Sequence, residues 1–284
     1  TSPFVLLAPG GVGKSAVMAR AVQRAKASLP REAQLLYRFI GATPDSSDIR
    51  GLLQSLCREL AQARNDESPI PADINELFTH FQRLIAATPA AQPVVLFLDA
   101  LDQLADRNGG LYLAWLPREL PASVRIVASV LSEHEAVNEV DRVPVPARVL
   151  QAATPVEQQY QLPGLTREAA ADALAEWLRR AGRTLTDEQR ESILAQHNAA
   201  GGAALYLKLA FESVRKLRSY VEVPLLAATL PELVDQQFQR LAEPRNHGPD
   251  LVSRSLAYLM AAKEGLDEEE IVEALTRNAE YMAA

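Results

Sequence analysis

The stretch VLLAPGGVGKSAVM, residues 5–18, decides how the rest of the chain is read. An apolar run breaks into three glycines, a lysine and a serine, then resumes with helical spacing. "FVLLA" (residues 4–8) has no alternation of apolar and polar residues, the pattern of a strand buried on both faces. A helix is expected from about Lys14, with Met18, Val22, Ala25 and Leu29 on one face and Pro30 as its stop. A strand, a glycine-rich turn ending in Gly-Lys-Ser and a helix form the P-loop arrangement. Backbone N–H groups of such a turn converge into an anion nest. The new helix adds its unpaired N–H groups and the positive end of its dipole. Gly11 and Gly13 supply backbone shapes that a Cβ would forbid. Pro9, Gly10, Gly11, Val12, Gly13, Lys14, Ser15 and Ala16 are therefore the candidate nucleotide-binding residues. Lys14 would reach the outer phosphates, and Ser15 would place its hydroxyl on Mg²⁺. Ala8 stands where the pattern G-x-x-x-x-G-K-[ST] has its first glycine.

A P-loop site needs a carboxylate at the end of a neighbouring strand to hold Mg²⁺. "VVLFLDALDQL" supplies Asp99 at the end of a buried run, and Asp102 three residues on. Asp99 is the candidate metal acid. Asp102 is the candidate general base for an attacking water. Lys14, Asp99 and Asp102 together make the candidate catalytic set, and Ser15 and Asp99 the metal set. The next buried run, "SVRIVASVL" (residues 123–131), carries Ser129 near its end, a candidate contact to the γ-phosphate.

Further strands are expected at "QLLYRFIG" (residues 34–41) and, for a fifth, at "ARVL" or "QQYQLPGL" around residues 147–162. Between them lie amphipathic helices. One carries Ile49, Leu52, Leu53, Leu56 and Leu60, and another Ile74, Leu77, Phe78, Phe81, Leu84 and Ile85. Strands alternating with helices argue an α/β fold, a parallel sheet sandwiched by helices. After Gly164 the chain reads as helix after helix, over 166–181, 186–196, 202–217, 231–241 and 249–262, with Asp267 capping one more. "TDEQ" (residues 186–189) is a capping box.

The 284 residues suit two or three small domains. The expected division is 1–163 for nucleotide binding, 164–222 for a small helical domain, and 223–284 for a domain that the chain begins and does not finish. A softer break is expected at "SYVEVPLLAATLP" (residues 219–231). The net charge of −7 argues against nucleic acid as a partner of the whole chain. The basic run "RKLR" (residues 215–218) reads as a solvated helix face. One cysteine, Cys57, excludes an internal disulfide and fits a reducing, cytoplasmic setting. It sits among apolar helix residues and reads as core. His80, His134, His197 and His247 lack ligand spacing. No apolar run approaches the ~18 residues of a membrane span. The abrupt start and stop read as a piece of a longer protein.

With "APGGVGKS" and "DALD" the chain resembles the STAND class of signal-transduction ATPases, and within it the NACHT-type modules. "FIGATPDSSDIRGLLQSLCREL" looks like the second strand and following helix of the nephrocystin and telomerase-associated branch, to which bacterial antiviral STAND ATPases are related. "GGAALYLKLAFE" (residues 201–212) looks like that family's Gly/Asn-x-Pro-Leu segment, with Ala204 in place of the proline. Gln103 stands where the family has Glu, and Val130-Leu131 where many members have an Arg after the sensor residue. The resemblance implies a nucleotide-binding domain, a helical domain and the start of a winged helix. It implies ATP and ADP as ligands, Mg²⁺ as cofactor and slow hydrolysis. It also implies a closed ADP state and an open ATP state that self-associates through the nucleotide-binding domain, with sensor and effector domains outside this chain. Two other readings stay open: a nucleotide-binding scaffold without turnover, and an AAA+-like DNA-remodelling ATPase.

Overall fold

The computed structural model describes residues 1–105, 107–133, 143–215, 226–262 and 265–277. His134, positions 216–218 of the basic run and most of the softer break at 219–231 lie outside them. The chain divides into two compact units, Thr1–Pro163 and Gly164–Ala284.

The first unit is built on five parallel strands: β1 (Phe4–Ala8), β2 (Gln34–Phe39), β3 (Val94–Asp99), β4 (Val124–Leu131) and β5 (Gln159–Gln161). Their lateral order is β2-β3-β4-β1-β5. The central strands β1, β3 and β4 are nearly continuous apolar runs because both of their faces are covered. Helices α1 (Lys14–Ser28), α2 (Ile49–Gln62), α3 (Ile74–Ala86) and α4 (Val145–Ala153) connect and cover the sheet. The larger core gathers Leu53, Leu56, Leu77, Phe81 and Ile85 from α2 and α3 against Leu96, Leu98 and Ile126 of the sheet. Trp115 is fully buried there, edge-on to Phe81 at 5.9 Å. A smaller cluster seats α1 on the other face, where Met18 and Val22 meet Leu6 and Phe97.

The helix starts follow capping chemistry. Asp48 accepts from Gly51 N–H to open α2, and Asp73 accepts from Asn75 and Glu76 N–H to open α3. One expectation is corrected. "ARVL" (residues 147–150) is not a strand but the middle of α4. Pro144 at the cap and Pro146 in the first turn suit a helix start. Pro146, Ala147 and Leu150 then share one buried face, a spacing that only a helix provides. The fifth strand is the short β5 instead.

The second unit is helical: α5 (Arg167–Arg180), α6 (Asp187–Ala199), α7 (Ala204–Val214), α8 (Leu230–Leu241), α9 (Pro249–Ala261) and α10 (Glu268–Arg277). Thr186 and Gln189 cap α6 reciprocally, and Thr229 and Glu232 do the same for α8. Asp267 accepts from Glu270 N–H ahead of α10. The core joins Leu174, Leu178, Ile193, Tyr206, Leu207 and Phe211. Tyr206 donates its buried hydroxyl to the Ala227 carbonyl at 2.6 Å. Trp177 is tilted against Phe211, with the Lys208 ammonium 5.2 Å from its ring centre. Gly164 lies flat against the turn before α7, where Leu165 N–H donates to Gly202 O at 2.8 Å.

Candidate functional site

The site forms where β1, β3 and β4 end. The register on β4 sets its geometry: Leu6 lies beside Ser129 and Ala8 beside Leu131 on one side, while Leu98 lies beside Ala128 on the other. Asp99 therefore emerges level with Ser129, one strand away from the turn that leaves β1.

That turn, residues 9–13, has the backbone its glycines permit. Gly11 has φ 76° and Gly13 has φ 115°. Both are left-handed conformations that a Cβ resists. Gly13 then serves as the N-cap of α1 with no side chain to satisfy the first N–H groups. Those N–H groups, and the exposed Ser15 hydroxyl beside them, are left for a ligand. The Lys14 ammonium folds back over the turn, donating to Ala8 O at 2.8 Å and Pro9 O at 3.1 Å. Partial burial lowers its pKa, and the negative charges of Asp102 and Asp99 act to raise it again. The lysine thus faces both acids electrostatically. Ala8 is fully buried, and its carbonyl takes part in holding Lys14.

Asp99 is almost wholly buried at the end of β3. Its Oδ1 accepts the Ser129 hydroxyl at 2.5 Å. Ser129 Oγ in turn accepts the Ala100 N–H at 2.9 Å. Ala100 has φ 58° and starts a single helical turn, Leu101–Gln103. The turn swings Asp102 back toward the end of β4, where its Oδ1 accepts Leu131 N–H at 2.7 Å. Its Oδ2 accepts the Gln103 side-chain amide at 2.9 Å. Both carboxylate oxygens are engaged, and each retains a further lone pair.

All the residues expected to act together thus lie at the C-terminal ends of the strands. Pro9 to Ala16 form the turn and the helix start, and Asp99, Asp102 and Ser129 close the opposite side. Several participants were not visible beforehand. The Leu131 N–H, the left-handed Ala100 and the Gln103 amide gave no sequence signal, because each matters only through a partner on another strand or turn. The donor set fits a magnesium nucleotide: an N–H cradle and an ammonium for phosphate, a hydroxyl and a buried carboxylate for the hard cation. Away from the site, Cys57 is core in α2, and burial pushes its thiol up to about 12. Among the described residues no group of three or more His, Cys, Asp and Glu is placed to hold a metal ion. Nor, among them, is any helix long and apolar enough to cross a membrane.

This sheet order, with a Gly-Lys-Ser turn facing strand-end acids across β4, defines a P-loop NTPase. Residues 1–131 match the AAA ATPase domain family. Human NACHT and WD repeat domain-containing protein 2 is 30% identical over 294 residues, covering 99% of this chain and 16% of that protein. Human NACHT domain- and WD repeat-containing protein 1 is 30% identical over 288 residues, covering 99% of this chain and 18% of that protein. Mouse telomerase protein component 1 is 28% identical over 272 residues, covering 92% of this chain and 10% of that protein. The chain thus spans less than a fifth of these curated relatives. Among solved structures, the Aeropyrum pernix Orc1 protein, determined in complex with DNA, shares the fold. Its TM-score is 0.52 at 16% identity, covering 96% of this chain and 70% of that chain. The chain thus has the fold and site of a P-loop NTPase, and it is similar to NACHT-domain proteins over nearly its whole length.

Proposed function

We propose that the chain is the nucleotide-operated switch of a larger signalling protein, binding ADP at rest and ATP when active. The observation that carries this reading is the pairing of the Gly11–Ser15 cradle with the Asp99 and Asp102 carboxylates at the C-terminal ends of the strands. Backbone N–H groups of residues 10–15 and the α1 terminus bind the phosphate chain. Lys14 exchanges its two carbonyl partners for the outer phosphates. Ser15 and Asp99 hold Mg²⁺, which when bound neutralises charge on the phosphates. Asp102 is placed to orient a water through a lone pair that its two hydrogen bonds leave free.

In this reading ATP needs to favour the open, self-associating form by only a few kcal/mol over the closed ADP form. Self-association runs through the nucleotide-binding unit. The trigger and the effector belong to other parts of the protein, and helices α8–α10 are the opening of a winged-helix domain. The names of the relatives, which pair NACHT with WD repeats, support a module working among other domains. Defence signalling is the setting the resemblance suggests, in the cytoplasm. A second reading has one observation in its favour. Asp102, with both oxygens occupied, suits a module that holds nucleotide and does not turn it over.

The test is to denature the purified chain and quantify the nucleotide released. Near-stoichiometric ADP is expected. No released nucleotide, together with no Mg·ATP binding on titration, refutes the switch. Binding with no phosphate release above background, unchanged in Asp102→Asn, favours the scaffold.

A further inference from the structure

Ser129 has the strand-end position of a phosphate contact, yet its surroundings direct it elsewhere. It has no exposed surface. Its single hydroxyl proton goes to Asp99 Oδ1 at 2.5 Å. Its oxygen receives the Ala100 N–H at 2.9 Å. Ala100 is held in the left-handed region, a conformation that a residue with a Cβ keeps only when its surroundings impose it. The hydrogen bond from its N–H to Ser129 is such a constraint. The turn it starts is the one that carries Asp102 to Leu131 N–H. One buried hydroxyl therefore touches the metal acid and the first residue of the turn bearing the candidate base.

We propose that Ser129 is a positioning residue that acts through Asp99 and does not contact nucleotide. It fixes the carboxylate rotamer of Asp99 and pins the Ala100 turn, so that both acids stand ready before any ligand arrives. The inference rests on the reading of Asp99 as the acid that holds Mg²⁺. It places Ser129 in the role that carboxylates and carbonyls play behind metal-binding histidines elsewhere: orienting a ligand without being one.

The experiment uses the whole 284-residue chain. A fluorescent ADP analogue and its ATP counterpart are titrated in EDTA. Mn²⁺ binding to the ADP complex is then measured by electron paramagnetic resonance. Ser129→Ala is expected to bind both nucleotides in EDTA as tightly as the wild type. Its Mn²⁺ affinity is expected to fall about 10- to 100-fold. Ser129→Thr, which keeps the hydroxyl and suits a strand, is expected to restore it. Should Ser129→Ala fail to fold, Ser129→Cys decides: an intermediate Mn²⁺ affinity supports the inference, because a thiol is a weak donor. Wild-type Mn²⁺ affinity in Ser129→Ala or Ser129→Cys overturns it. So does a loss of ATP affinity relative to ADP in EDTA, the signature of a direct phosphate contact. A distinct failure is Asp99→Asn with undiminished Mn²⁺ binding, which overturns the metal reading of Asp99 and this inference with it.

Discussion

A methyl group on Gly164 should unfold the helical unit before it disturbs the sheet. A Cβ built there would lie 2.3 Å from Gly201 O and 3.0 Å from both Gly202 Cα and C. All three are backbone atoms, with no rotamer to relieve them. Gly202 answers from the other side: its own Cβ would meet Leu165 O at 2.8 Å. To admit the new carbon the two segments must separate by about 1 Å, enough to break the 2.8 Å bond from Leu165 N–H to Gly202 O. The lost backbone bond costs about 1 kcal/mol. The overpacking adds about 1–3 kcal/mol. A total of about 3 kcal/mol lowers the urea midpoint by about 1.5 M for a slope near 2 kcal/mol/M. The assay exploits the two tryptophans. A Trp115→Phe background leaves Trp177, in the affected unit, as the sole tryptophan signal. Gly182→Ala is the control. Gly182 has φ 61° and open space where its Cβ would go, so it suffers backbone strain alone, about 1 kcal/mol. A Gly164→Ala midpoint shift no larger than that of Gly182→Ala refutes the close-approach argument.

Other outcomes follow from the same geometry. Lys14→Ala removes charge-assisted contacts to phosphate worth about 1.5–3 kcal/mol each, so calorimetric ADP affinity should fall by about 100-fold or more; an affinity within about threefold of wild type would refute the phosphate role of Lys14. Cys57 should resist a thiol reagent in the native chain and react fully in urea, since its thiol is buried and pushed up to about 12; rapid native labelling would contradict the packing of α2. Burial lowers the pKa of His197, whose ring is fully enclosed beside Tyr206. The unfolded state then binds the proton more readily. The helical unit is accordingly expected to keep full stability above the unfolded value of about 6.5 and to lose it as pH falls below. His197→Asn should flatten that slope in urea melts run from pH 7.5 to pH 5, and an unchanged slope refutes the assignment.

The β1–turn–α1 unit was legible because its residues speak locally: a buried apolar strand, glycines that permit a left-handed turn, and Gly-Lys-Ser opening the helix together specify a phosphate cradle. The strand ending in Asp99 was legible because its apolar run is bounded by Pro93 and an acid and follows a P-loop that needs such a strand. Four residues of "ARVL" were too few to separate a period of 2 from one of 3.6, and Pro144 and Pro146 were the better signal. The three-residue β5 sits at the sheet edge, where little burial marks it. The way the acids meet at the ends of β3 and β4 could not be read from the chain. Ser129 and Asp99 are thirty positions apart, and the partner of Asp102 is a main-chain N–H, which carries no residue identity.

The strand order has a consequence for how this site tolerates change. β1 and β3 are not neighbours; β4 runs between them and is hydrogen-bonded to both. Adjacent strands lie about 4.8 Å apart, so the phosphate turn and the acidic turn face each other over about 10 Å, twice that step. This gap is ruled by main-chain ladders, not by the size of any side chain lining it. The two motifs can then drift independently while the gauge stays constant. Alanine at position 8 and glutamine at position 103 are changes of lettering on an instrument whose scale is cut into β4.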